Sequence, residues 1–514
     1  MASRINLTNK KTGITYVYES TSYWDKEKQQ PRNHRICIGR LSDGQFIASK
    51  RLAPLQAAAR DPKVVAQAEI IGPSIVLDAI IEQRGLKKLL KSCFPDQHRH
   101  ILAMAYYLTS RGGALSHCET WCKTHAPELS SGLSSPRISE LLEGITLNDK
   151  QHFLQQWMKQ LSPEEYLCYD ITSISSYAES NEYVRRGYNR DGEALPQINL
   201  ALLFGQKNHL PMYYQTHPGS ITDVTTLQNL VKTFKALDVN PLHHVMDKGF
   251  YSKKNIDALV AARHKFTVSV PLSNLWVQKA IDDIYEEVHE PTGYHHIEDE
   301  AIYVQSRLYR WGAENRRCYL HLYYNPYKRA LAVDRFNKKL IAYKAALESG
   351  KLLNEYSEFF IIKTTPKRGV VVSYNREMIK QYINRYAGFQ ALLSNAVKDP
   401  IETLQIYRDK DVVEKCFDDL KNALDMKRLR MHSATTVAGR LFVQFIAAIC
   451  ISALRQAMRD SGLIKQYTAR ELLEEMETLM KIKYVGKYGS ILTEATKAQR
   501  EILQTLQINL DRAT

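Results

Sequence analysis

Three carboxylates that lie far apart in the sequence could together carry out phosphoryl transfer. Asp170 lies in the stretch EYLCYDITSIS, Asp247 in LHHVMDKGF, and Glu414 in YRDKDVVEKCFDDLK. Carboxylate oxygens are ligands for hard divalent cations, and Mg²⁺ keeps open positions for water and phosphate. Two such ions roughly 3.5 to 4 Å apart can activate a nucleophile and stabilise the leaving oxygen of an in-line displacement. This chemistry requires the three carboxylates to lie close together in the folded protein. A lone aspartate at the end of a strand is more often a turn or cap residue, so neither aspartate alone indicates this chemistry.

Polar residues spaced as on a helix surround Glu414 within residues 401–424. The helical face that they would share is formed by Tyr407, Lys410, Glu414 and Lys421. Their steps of three, four and seven residues match helical periodicity, and an apolar stripe lies beside them. One stripe could pack on a sheet while the other faces an anion. Because an ordinary solvated helix face shows the same pattern, Glu414 gains a role only if the two aspartates meet it.

The composition indicates a large basic protein that meets a polyanion. Lys and Arg number 70 against 55 Asp and Glu in 514 residues, which gives a formal net charge of +15. The first residues lack the apolar stretch of a signal peptide, and eight scattered cysteines are typical of reduced core residues. The most apolar run, residues 441–454, is too short to span a bilayer and predicts a buried helix. We therefore expect a cytoplasmic protein with no membrane partner.

One cluster of metal-binding residue types needs a separate interpretation. His117, Cys118, Cys122 and His125 occur close together, and on a helix the last three would share a face. Such residues could bind zinc, but a structural zinc site usually draws a second ligand pair from elsewhere, and none is visible. Thiols that pack between helices are the favoured alternative.

The part of the chain that precedes Asp170 predicts two modules. Residues 1–60 show the alternation of a small β-rich module. Residues 61–160 show helical periodicity, with the Gly112-Gly113 pair between two of the helices. Several short helices of this kind could form a DNA-binding domain similar to a helix-turn-helix, with Arg137 exposed near a helix start. A plain helical subdomain explains the same pattern.

The predicted fold class is α/β, with a ribonuclease-H-like mixed-sheet catalytic core. Residues 161–270 predict three antiparallel strands followed by helix, strand, helix and strand, which is the order of that core. Residues 271–385 then predict an inserted β-rich domain, because the segment is too long and too structured for a loop. Residues 386–450 return to the core, and residues 451–514 predict a helical C-terminal region. In this topology the first and fourth strands are neighbours, which would bring Asp170 beside Asp247.

Several stretches together resemble a known family, the DDE transposases of bacterial insertion sequences. The stretches that carry the resemblance are YDIT, GYNRDGEALPQINLALLF, HPGSITDVTTL, VMDKGFYS and YRDKDVVEKCFDDLK. The subgroup is the one whose signature reads Y, two residues, R, three residues, E, six residues and K. The positions that match it are Tyr407, Lys410, Glu414 and Lys421. Lys410 departs from the family's Arg, so a point charge replaces a bidentate fork.

The resemblance implies a cut-and-paste transposase. Such an enzyme binds double-stranded DNA at terminal inverted repeats, frees a 3′-OH, passes through a hairpin and joins the 3′-OH to target DNA. It implies that Asp170, Asp247 and Glu414 are catalytic residues that hold two Mg²⁺ (or Mn²⁺) ions. It also implies that Tyr407, Lys410 and Lys421 contact DNA phosphates. The expected assembly is a homodimer in the synaptic complex. The expected location is the bacterial cytoplasm, in association with the nucleoid.

Related enzymes hold a flipped base on an aromatic side chain of the inserted domain. Trp311, which is flanked by Arg310, Arg316 and Arg317, is the first candidate for this base-stacking role, and Trp276 is the second. A tryptophan in a β-rich segment is also a common core residue.

Two further functions compete with an active transposase. A domesticated, sequence-specific DNA-binding protein would keep the fold without transposition activity, and the Lys410 departure leaves room for it. A ribonuclease-H-like nuclease acting on another nucleic acid would need the carboxylates but not the stripe around Glu414. The intact set of Asp170, Asp247 and Glu414 favours the active transposase.

Overall fold

The computed structural model describes residues 3–25, 30–42, 44–49, 66–125, 129, 132–178, 181–237, 239–350, 357–365, 369–384, 386–431, 433–484 and 489–510. The chain divides into two compact units. The first is built from residues 1–69 and 481–493, and the second from residues 70–480 and 494–514. The six domain bounds predicted from the sequence stay predictions, and residues 50–60 of the first lie outside the described part.

The first unit contains a four-stranded antiparallel meander. Its strands are β1 (Ser3–Thr8), β2 (Thr15–Asp25), β3 (Gln30–Ser42) and β4 (Gln45–Ala48). Gly13 has a φ of 70° in the β1–β2 turn, a left-handed conformation that glycine adopts without steric cost. A second sheet of three strands, nearly all of whose residues belong to this unit, is formed by β5 (Ala66–Ile70), β18 (Met480–Tyr484) and β19 (Ser490–Leu492).

The second unit begins with a layer of helices. They are α1 (Gly72–Gln83), α2 (Leu86–Cys93), α3 (His98–Ser110), α4 (Cys118–His125), α5 (Ser135–Glu143) and α6 (Leu147–Met158). They share one apolar core with the sheet that follows, through side chains such as Phe153 and Trp157. Whether any of these helices reads DNA stays a prediction.

A long helix, α14 (Ala434–Asp460), packs against α3 and α5. A β-carbon added at its Gly439 would overlap the carbonyl oxygen of Leu142 on α5, so only glycine permits this close approach. Among the described residues α14 is the one helix long and apolar enough to cross a membrane, yet its apolar window is almost wholly buried within the protein. The prediction of a buried helix for residues 441–454 is confirmed.

The described residues of the second unit form a ten-stranded mixed sheet. Its strands are β6 (Tyr166–Ser176), β7 (Gln197–Gly205), β8 (Pro211–Pro218), β9 (His243–Met246), β10 (Lys265–Val270), β11 (Tyr294–Ile297), β12 (Glu300–Trp311), β13 (Arg316–Tyr324), β16 (Phe389–Ser394) and β17 (Arg428–Leu429). The order is β11-β12-β13-β16-β10-β9-β6-β7-β8, with β17 paired to β6. Strand β6 is antiparallel to β7 and parallel to β9, and β10 is parallel to β9. The predicted α/β class is confirmed.

Helices cover the sheet and connect its strands. They are α7 (Asp223–Ala236), α8 (Lys253–Ala261), α9 (Leu275–Asp282), α12 (Pro400–Arg408) and α13 (Asp411–Asp418). Strand β7 is buried along its whole length, as expected of a strand with both faces covered. The core strands and these helices bury one continuous set of apolar side chains.

Residues 271–385, for which the sequence predicts an inserted β-rich domain, contribute strands to the central sheet and also form an apolar cluster of their own. Strands β11, β12 and β13 continue the central sheet, because β13 pairs antiparallel with β16 and β16 pairs with β10. The rest of this segment has its own small apolar cluster, which includes Phe336 and Phe360. That cluster lies among α10 (Pro326–Glu348), β14 (Phe360–Thr365), β15 (Gly369–Tyr374) and α11 (Arg376–Asn384).

The sequence predicts a helical C-terminal region for residues 451–514. The structure shows strands as well as helices there. Helix α14 ends at Asp460, and α15 (Ala469–Glu475) and α16 (Lys497–Thr505) follow, each opened by a threonine capping box. Between these two helices, however, lie the strands β18 and β19. The short strand Met480–Tyr484 is recognisable only through its pairing with β5, which lies far away in the sequence.

Candidate active site

Asp170 and Asp247 come from adjacent parallel strands. Asp170 lies within β6, and Asp247 directly follows β9, where a single 3₁₀ turn (Lys248–Phe250) begins. The register pairs Tyr169 with Met246, so the next position along both strands brings the two aspartates side by side. The strand pairing alone therefore places two of the three predicted carboxylates side by side on neighbouring central strands of the sheet.

The predicted single helix over residues 401–424 is wrong. Helix α12 ends at Arg408, α13 begins at Asp411, and the segment ends in a π-helical turn, Asp419–Ala423. The break between α12 and α13 involves the carbonyl of Ile406. In a continuous helix this carbonyl would accept a hydrogen bond from the N–H of Lys410. That carbonyl instead accepts a hydrogen bond from Gln206 Nε2 at 2.7 Å. The four polar residues therefore do not form one straight stripe.

Tyr407 and Lys410 each bind one of the carboxylates. The Tyr407 hydroxyl donates to Asp247 Oδ1 at 2.7 Å, and Lys410 Nζ donates to Glu414 Oε1 at 3.0 Å. Burial raises the pKa of Tyr407, and the charge of Asp247 raises it further. Burial lowers the pKa of Lys410, but the bond to Glu414 and the charges of both aspartates outweigh burial, so that pKa is raised. Both side chains are thus fixed in their protonated forms beside the carboxylates.

Lys421 approaches the site from the π-helical turn. Its Nζ lies 2.8 and 2.7 Å from the two carboxylate oxygens of Asp191. The neighbouring Arg190 donates to Asp223 Oδ2 at 2.7 Å, at the start of α7. Arg190 and Asp191 belong to the segment between β6 and β7, so this segment adds one carboxylate and one guanidinium to the site, and α7 adds the carboxylate of Asp223.

A close contact of two glycines holds that segment in place. A β-carbon at Gly187 would overlap the carbonyl oxygen of Gly219, and one at Gly219 would overlap that of Gln197. The N–H of Arg185 donates to the carbonyl of Gln197 at 3.0 Å and the N–H of Gln197 returns the bond at 2.9 Å. The backbone around residue 187 can therefore lie directly on the sheet and present Arg190 and Asp191 to the cavity.

These elements enclose an open cavity of about 610 Å³. Asp170, Asp247, Glu414 and Lys421 all lie on its wall, together with Asp191, Asp223, Asp418, Arg190 and Lys427. The predictions from the sequence missed Asp191, Asp223, Arg190 and Lys427. The first three lie in stretches that carried the family resemblance, which was the available signal, whereas nothing in the sequence distinguished Lys427. The cavity combines many carboxylates with cations.

Burial raises the pKa of Asp170 to about 6. The charge of Glu414 adds to this effect, while the N–H of Ile171, Arg190 and Lys410 act against it. The N–H of Ile171 donates to Asp170 Oδ1 at 2.8 Å and so orients the carboxyl group. Burial therefore disfavours the ionised form of Asp170 more than the nearby N–H, Arg190 and Lys410 favour it.

The oxygen ligands of this cavity are of the type that a hard divalent cation binds, but they are not arranged around a common point. Three carboxylates line one cavity, and oxygen ligands are those that Mg²⁺ takes. Within the part of the chain that the structure describes, no three His, Cys, Asp or Glu side chains are arranged to hold a metal ion. Asp247 and Glu414 are instead engaged by Tyr407 and Lys410. Metal binding would require these two partners to move.

Arg408 and the two predicted stacking residues lie away from this cavity. Arg408 pairs with Glu298 and Glu300, so it does not substitute for Lys410. Trp311 is only 5 % exposed and donates its indole N–H to Asp257 Oδ1 at 2.7 Å. Its ring therefore offers no open face for a base, and it packs as a core residue. Trp276 is half-buried against Trp311 and bonds the Tyr251 hydroxyl at 3.2 Å.

The His and Cys cluster at residues 117–125 is not arranged as a zinc site. Cys118 and Cys122 lie 3.9 Å apart at their sulfurs, but His125 stacks on Trp121 and bonds its carbonyl through Nδ1 at 3.0 Å. The cysteines pack between helices, in agreement with the favoured alternative.

The comparisons with known proteins assign the family. The family model described as the transposase DDE domain matches residues 162–450, more than half of the chain. The chain therefore belongs to the DDE transposase family, and the predicted membership is confirmed at that level. The insertion-sequence subgroup and its signature stay predictions.

Comparisons with other proteins extend this assignment no further. Among solved structures, the chain is similar to a cryo-EM structure of the piggyBac transposase synaptic complex with hairpin DNA. The TM-score is 0.38 at 10 % sequence identity, covering 80 % of this chain and 76 % of that chain. A search of curated proteins found no relative.

Proposed function

We propose that the protein is the transposase of a bacterial insertion sequence. It binds the terminal inverted repeats, cleaves the DNA ends with the help of two divalent metal ions, and joins the freed 3′-OH to target DNA through a hairpin intermediate. The observation that carries this proposal is the register of β6 and β9, which aligns Asp170 with Asp247 on the cavity that Glu414 also lines. Membership of the DDE transposase family supports the transposase part of this proposal.

A ribonuclease-H-like core is the architecture we propose for this reaction. Its support is the strand order β8-β7-β6-β9-β10, with β7 antiparallel and β9 parallel to β6. The strand that pairs with β10 on its other side is β16, which follows the insertion in the sequence. Glu414 follows on α13, so the third carboxylate arrives after the insertion, as the proposal requires.

Asp170, Asp247 and Glu414 are the residues that would hold Mg²⁺ or Mn²⁺. Bound ions would activate water or a 3′-OH and offset the charge that develops on the phosphorane oxygens. Before binding, Tyr407 and Lys410 satisfy Asp247 and Glu414 and so limit repulsion between the carboxylates. Tyr407 and Lys410, if displaced from these carboxylates by the ions, would have donors available for a DNA phosphate beside the site.

The rest of the cavity wall is suited to positioning DNA. Lys421, Lys427 and Arg190 would contact backbone phosphates, with Lys421 exchanging its bond to Asp191 for a phosphate oxygen. The net charge of +15 supports a DNA partner, since phosphate contacts release counterions. We propose a homodimer in the synaptic complex and a cytoplasmic, nucleoid-associated location.

One observation favours a second candidate, a DNA-binding protein that has lost transposition. Tyr407 and Lys410 engage two of the three carboxylates, and Lys410 stands where the family has Arg. If those contacts persist in the presence of metal, the fold would bind DNA without cleaving it. Incubation of the protein with the DNA that flanks its own gene, plus Mg²⁺ or Mn²⁺, separates the two candidates. Mapped cut ends and hairpin products support the transposase, and intact but bound DNA supports the second candidate.

The catalytic assignment is tested with Asp170→Asn, Asp247→Asn and Glu414→Gln in the same cleavage assay. Each change removes a charged ligand worth several kcal/mol, so each should lower cleavage at least about a hundredfold. Binding of the same DNA in EDTA should stay near the wild-type level. Asp334→Asn on α10, an exposed carboxylate outside the cavity, is the matched control and should cleave normally. Full cleavage by any of the three variants would disprove the role of that residue.

A further inference from the structure

The hairpin of β2 and β3 extends beyond the sheet that supports it. Strand β1 pairs with β2 only as far as Ser20, and β4 pairs with β3 only from Gly39 to Ser42. The five residue pairs from Asp25–Gln30 to Thr21–His34 are therefore joined only to each other among the described strands. We call these two segments, residues 21–25 and 30–34, together with Arg35 and Ile36 at their base, the ribbon.

The ribbon exposes both of its faces. Tyr23 is 50 % exposed, Trp24 is 61 % exposed, and Ile36 is 50 % exposed. Residues 30–36 are all exposed, whereas Val17 and Ile38, nearer the centre of the sheet, are buried. A two-stranded hairpin is marginally stable in water when nothing packs on it. Large aromatic side chains on such a segment indicate a surface that meets a partner.

The charge on the ribbon favours an anionic partner. Tyr23 lies opposite Arg32, and Thr21 lies opposite His34, so one face combines an aromatic ring with basic and hydrogen-bonding side chains. The other face carries Trp24 and Arg35. Over β1 to β4 and their described turns, the sequence has six basic residues against two acidic ones, which are Arg4, Lys10, Lys11, Arg32, Arg35 and Arg40 against Glu19 and Asp25.

We propose that the ribbon inserts into the major groove of duplex DNA. The groove is about 12 Å wide and admits a two-stranded β-ribbon, and five residue pairs at about 3.4 Å each give a ribbon about 17 Å long. Arg32 and Arg35 supply guanidinium groups to phosphates or guanine edges, and Tyr23 and Trp24 supply flat apolar surface against the sugar-phosphate wall. The inference rests on the proposed function only in taking DNA as the partner, because the ribbon contains none of the active-site residues.

The test compares two double variants of the full-length protein that change charge equally within one sheet. The first, Arg32→Ala with Arg35→Ala, alters the ribbon, and the second, Lys10→Ala with Lys11→Ala, alters the exposed β1–β2 turn. Binding of a labelled duplex from the DNA flanking the gene is measured by fluorescence anisotropy in EDTA over a range of salt concentrations. The ribbon variant should bind at least about tenfold more weakly, and its slope of log K against log salt should fall by about 2. Equal weakening by both variants would overturn the proposal.

Two further measurements identify the groove and the partner that the ribbon binds. Bound wild-type protein should protect guanine N7, which faces the major groove, from methylation, and the ribbon variant should lose this protection. Protection of the minor groove alone would overturn the proposal. So would a ribbon variant that binds DNA normally but sediments as a smaller species than wild type, since the ribbon would then join two copies of this chain. Because EDTA prevents cleavage, a failure here is distinct from a failure of the catalytic carboxylates.

Discussion

Lys410 is the residue on which the charge balance of the metal-free site depends. Its side chain is 16 % exposed, and its Nζ lies 3.0 Å from Glu414 while the charges of Asp170 and Asp247 also act on it. A compact ammonium can lie among several carboxylates without the planar geometry that a guanidinium requires. A lysine at this position therefore suits a side chain that takes the place of a cation among the carboxylates.

Lys410→Gln should destabilise the metal-free protein by about 1 to 2 kcal/mol, because three carboxylates lose their shared cation while Glu414 stays largely solvated. Chemical denaturation in EDTA measures this loss. Added Mg²⁺ should reduce the difference from wild type, since bound cations replace the missing charge.

Lys338→Gln is the matched control for Lys410→Gln. Lys338 forms the same type of pair with Asp334, at a spacing of four residues, but on the exposed surface of α10. Its loss should cost at most about 0.5 kcal/mol, with no response to Mg²⁺. If Mg²⁺ stabilises both variants and the wild type equally, Lys410 has no special relation to the metal site.

Individual residues were predictable from the sequence where their context was local. Asp170 and Asp247 were predicted because each adjoins a strong strand pattern, and the structure brings both to one cavity with Glu414. The base-stacking role of Trp311 stays a prediction. Its side chain is buried, which the sequence did not reveal because arginine neighbours indicate charge but not the direction of a side chain. Successive residues in a strand face opposite sides, so Arg310 is exposed while Trp311 is buried.

At the scale of elements, the break between α12 and α13 was not predictable. Every residue from 401 to 424 tolerates a helix. The helix is interrupted where the side chain of Gln206, 200 positions earlier in the sequence, donates a hydrogen bond to the carbonyl of Ile406. The break turns α13 so that Glu414 lines the cavity while Tyr407 reaches Asp247 from α12. Local periodicity identifies helical residues but cannot reveal a hydrogen bond contributed by a distant residue.

Gly439→Ala tests the close packing of α14 on α5. An added methyl group would overlap the Leu142 carbonyl, which is backbone and cannot rotate away, so the helices must separate. We expect a loss of about 1 to 3 kcal/mol in the free energy of unfolding, measured by denaturation. Gly132→Ala, where an added β-carbon meets nothing within 4 Å, is the control and should be neutral or slightly stabilising. An unchanged stability in Gly439→Ala would show that this helix pair is not close-packed in solution.

At the scale of the whole molecule, buried histidines should make the fold sensitive to acid. Burial lowers the pKa of His217 to about 4 and that of His243 to about 3, from an ordinary value of 6.5. Below pH 6.5 the unfolded chain binds protons that the folded chain does not, so stability should fall as the pH falls from about 6.5 towards 4. For His217 alone, the decrease in the free energy of unfolding over this range approaches about 3 kcal/mol.

Denaturation of His217→Gln over this pH range measures the contribution of that residue. The variant should show a shallower loss of stability than wild type between pH 6.5 and 4. His296→Gln, at an exposed position on β11, is the control and should keep the wild-type slope. A wild-type slope in His217→Gln would mean that His217 accepts its proton in the folded protein.

The overall order of strands followed from the sequence because each strand carries its own pattern of β-forming residues. The position of residues 294–324 did not, because their place in the central sheet depends on β16, which lies beyond a long helix and a separate apolar cluster. Pairing between distant strands has no local signature. The same holds for β18, whose partner β5 lies near the other end of the chain.

The central sheet also constrains how quickly the protein can fold. Strand β10 takes its next neighbour from β16, with Thr267 opposite Ser394, and the Gln206 side chain bonds a carbonyl 200 positions further along the chain. Contacts of such high sequence separation slow folding, because loop-closure entropy is lost before they form. During synthesis, β10 therefore emerges as an open edge that must wait for β16. The active site is consequently one of the last parts of the molecule to assemble, and until then that edge is the surface most exposed to aggregation.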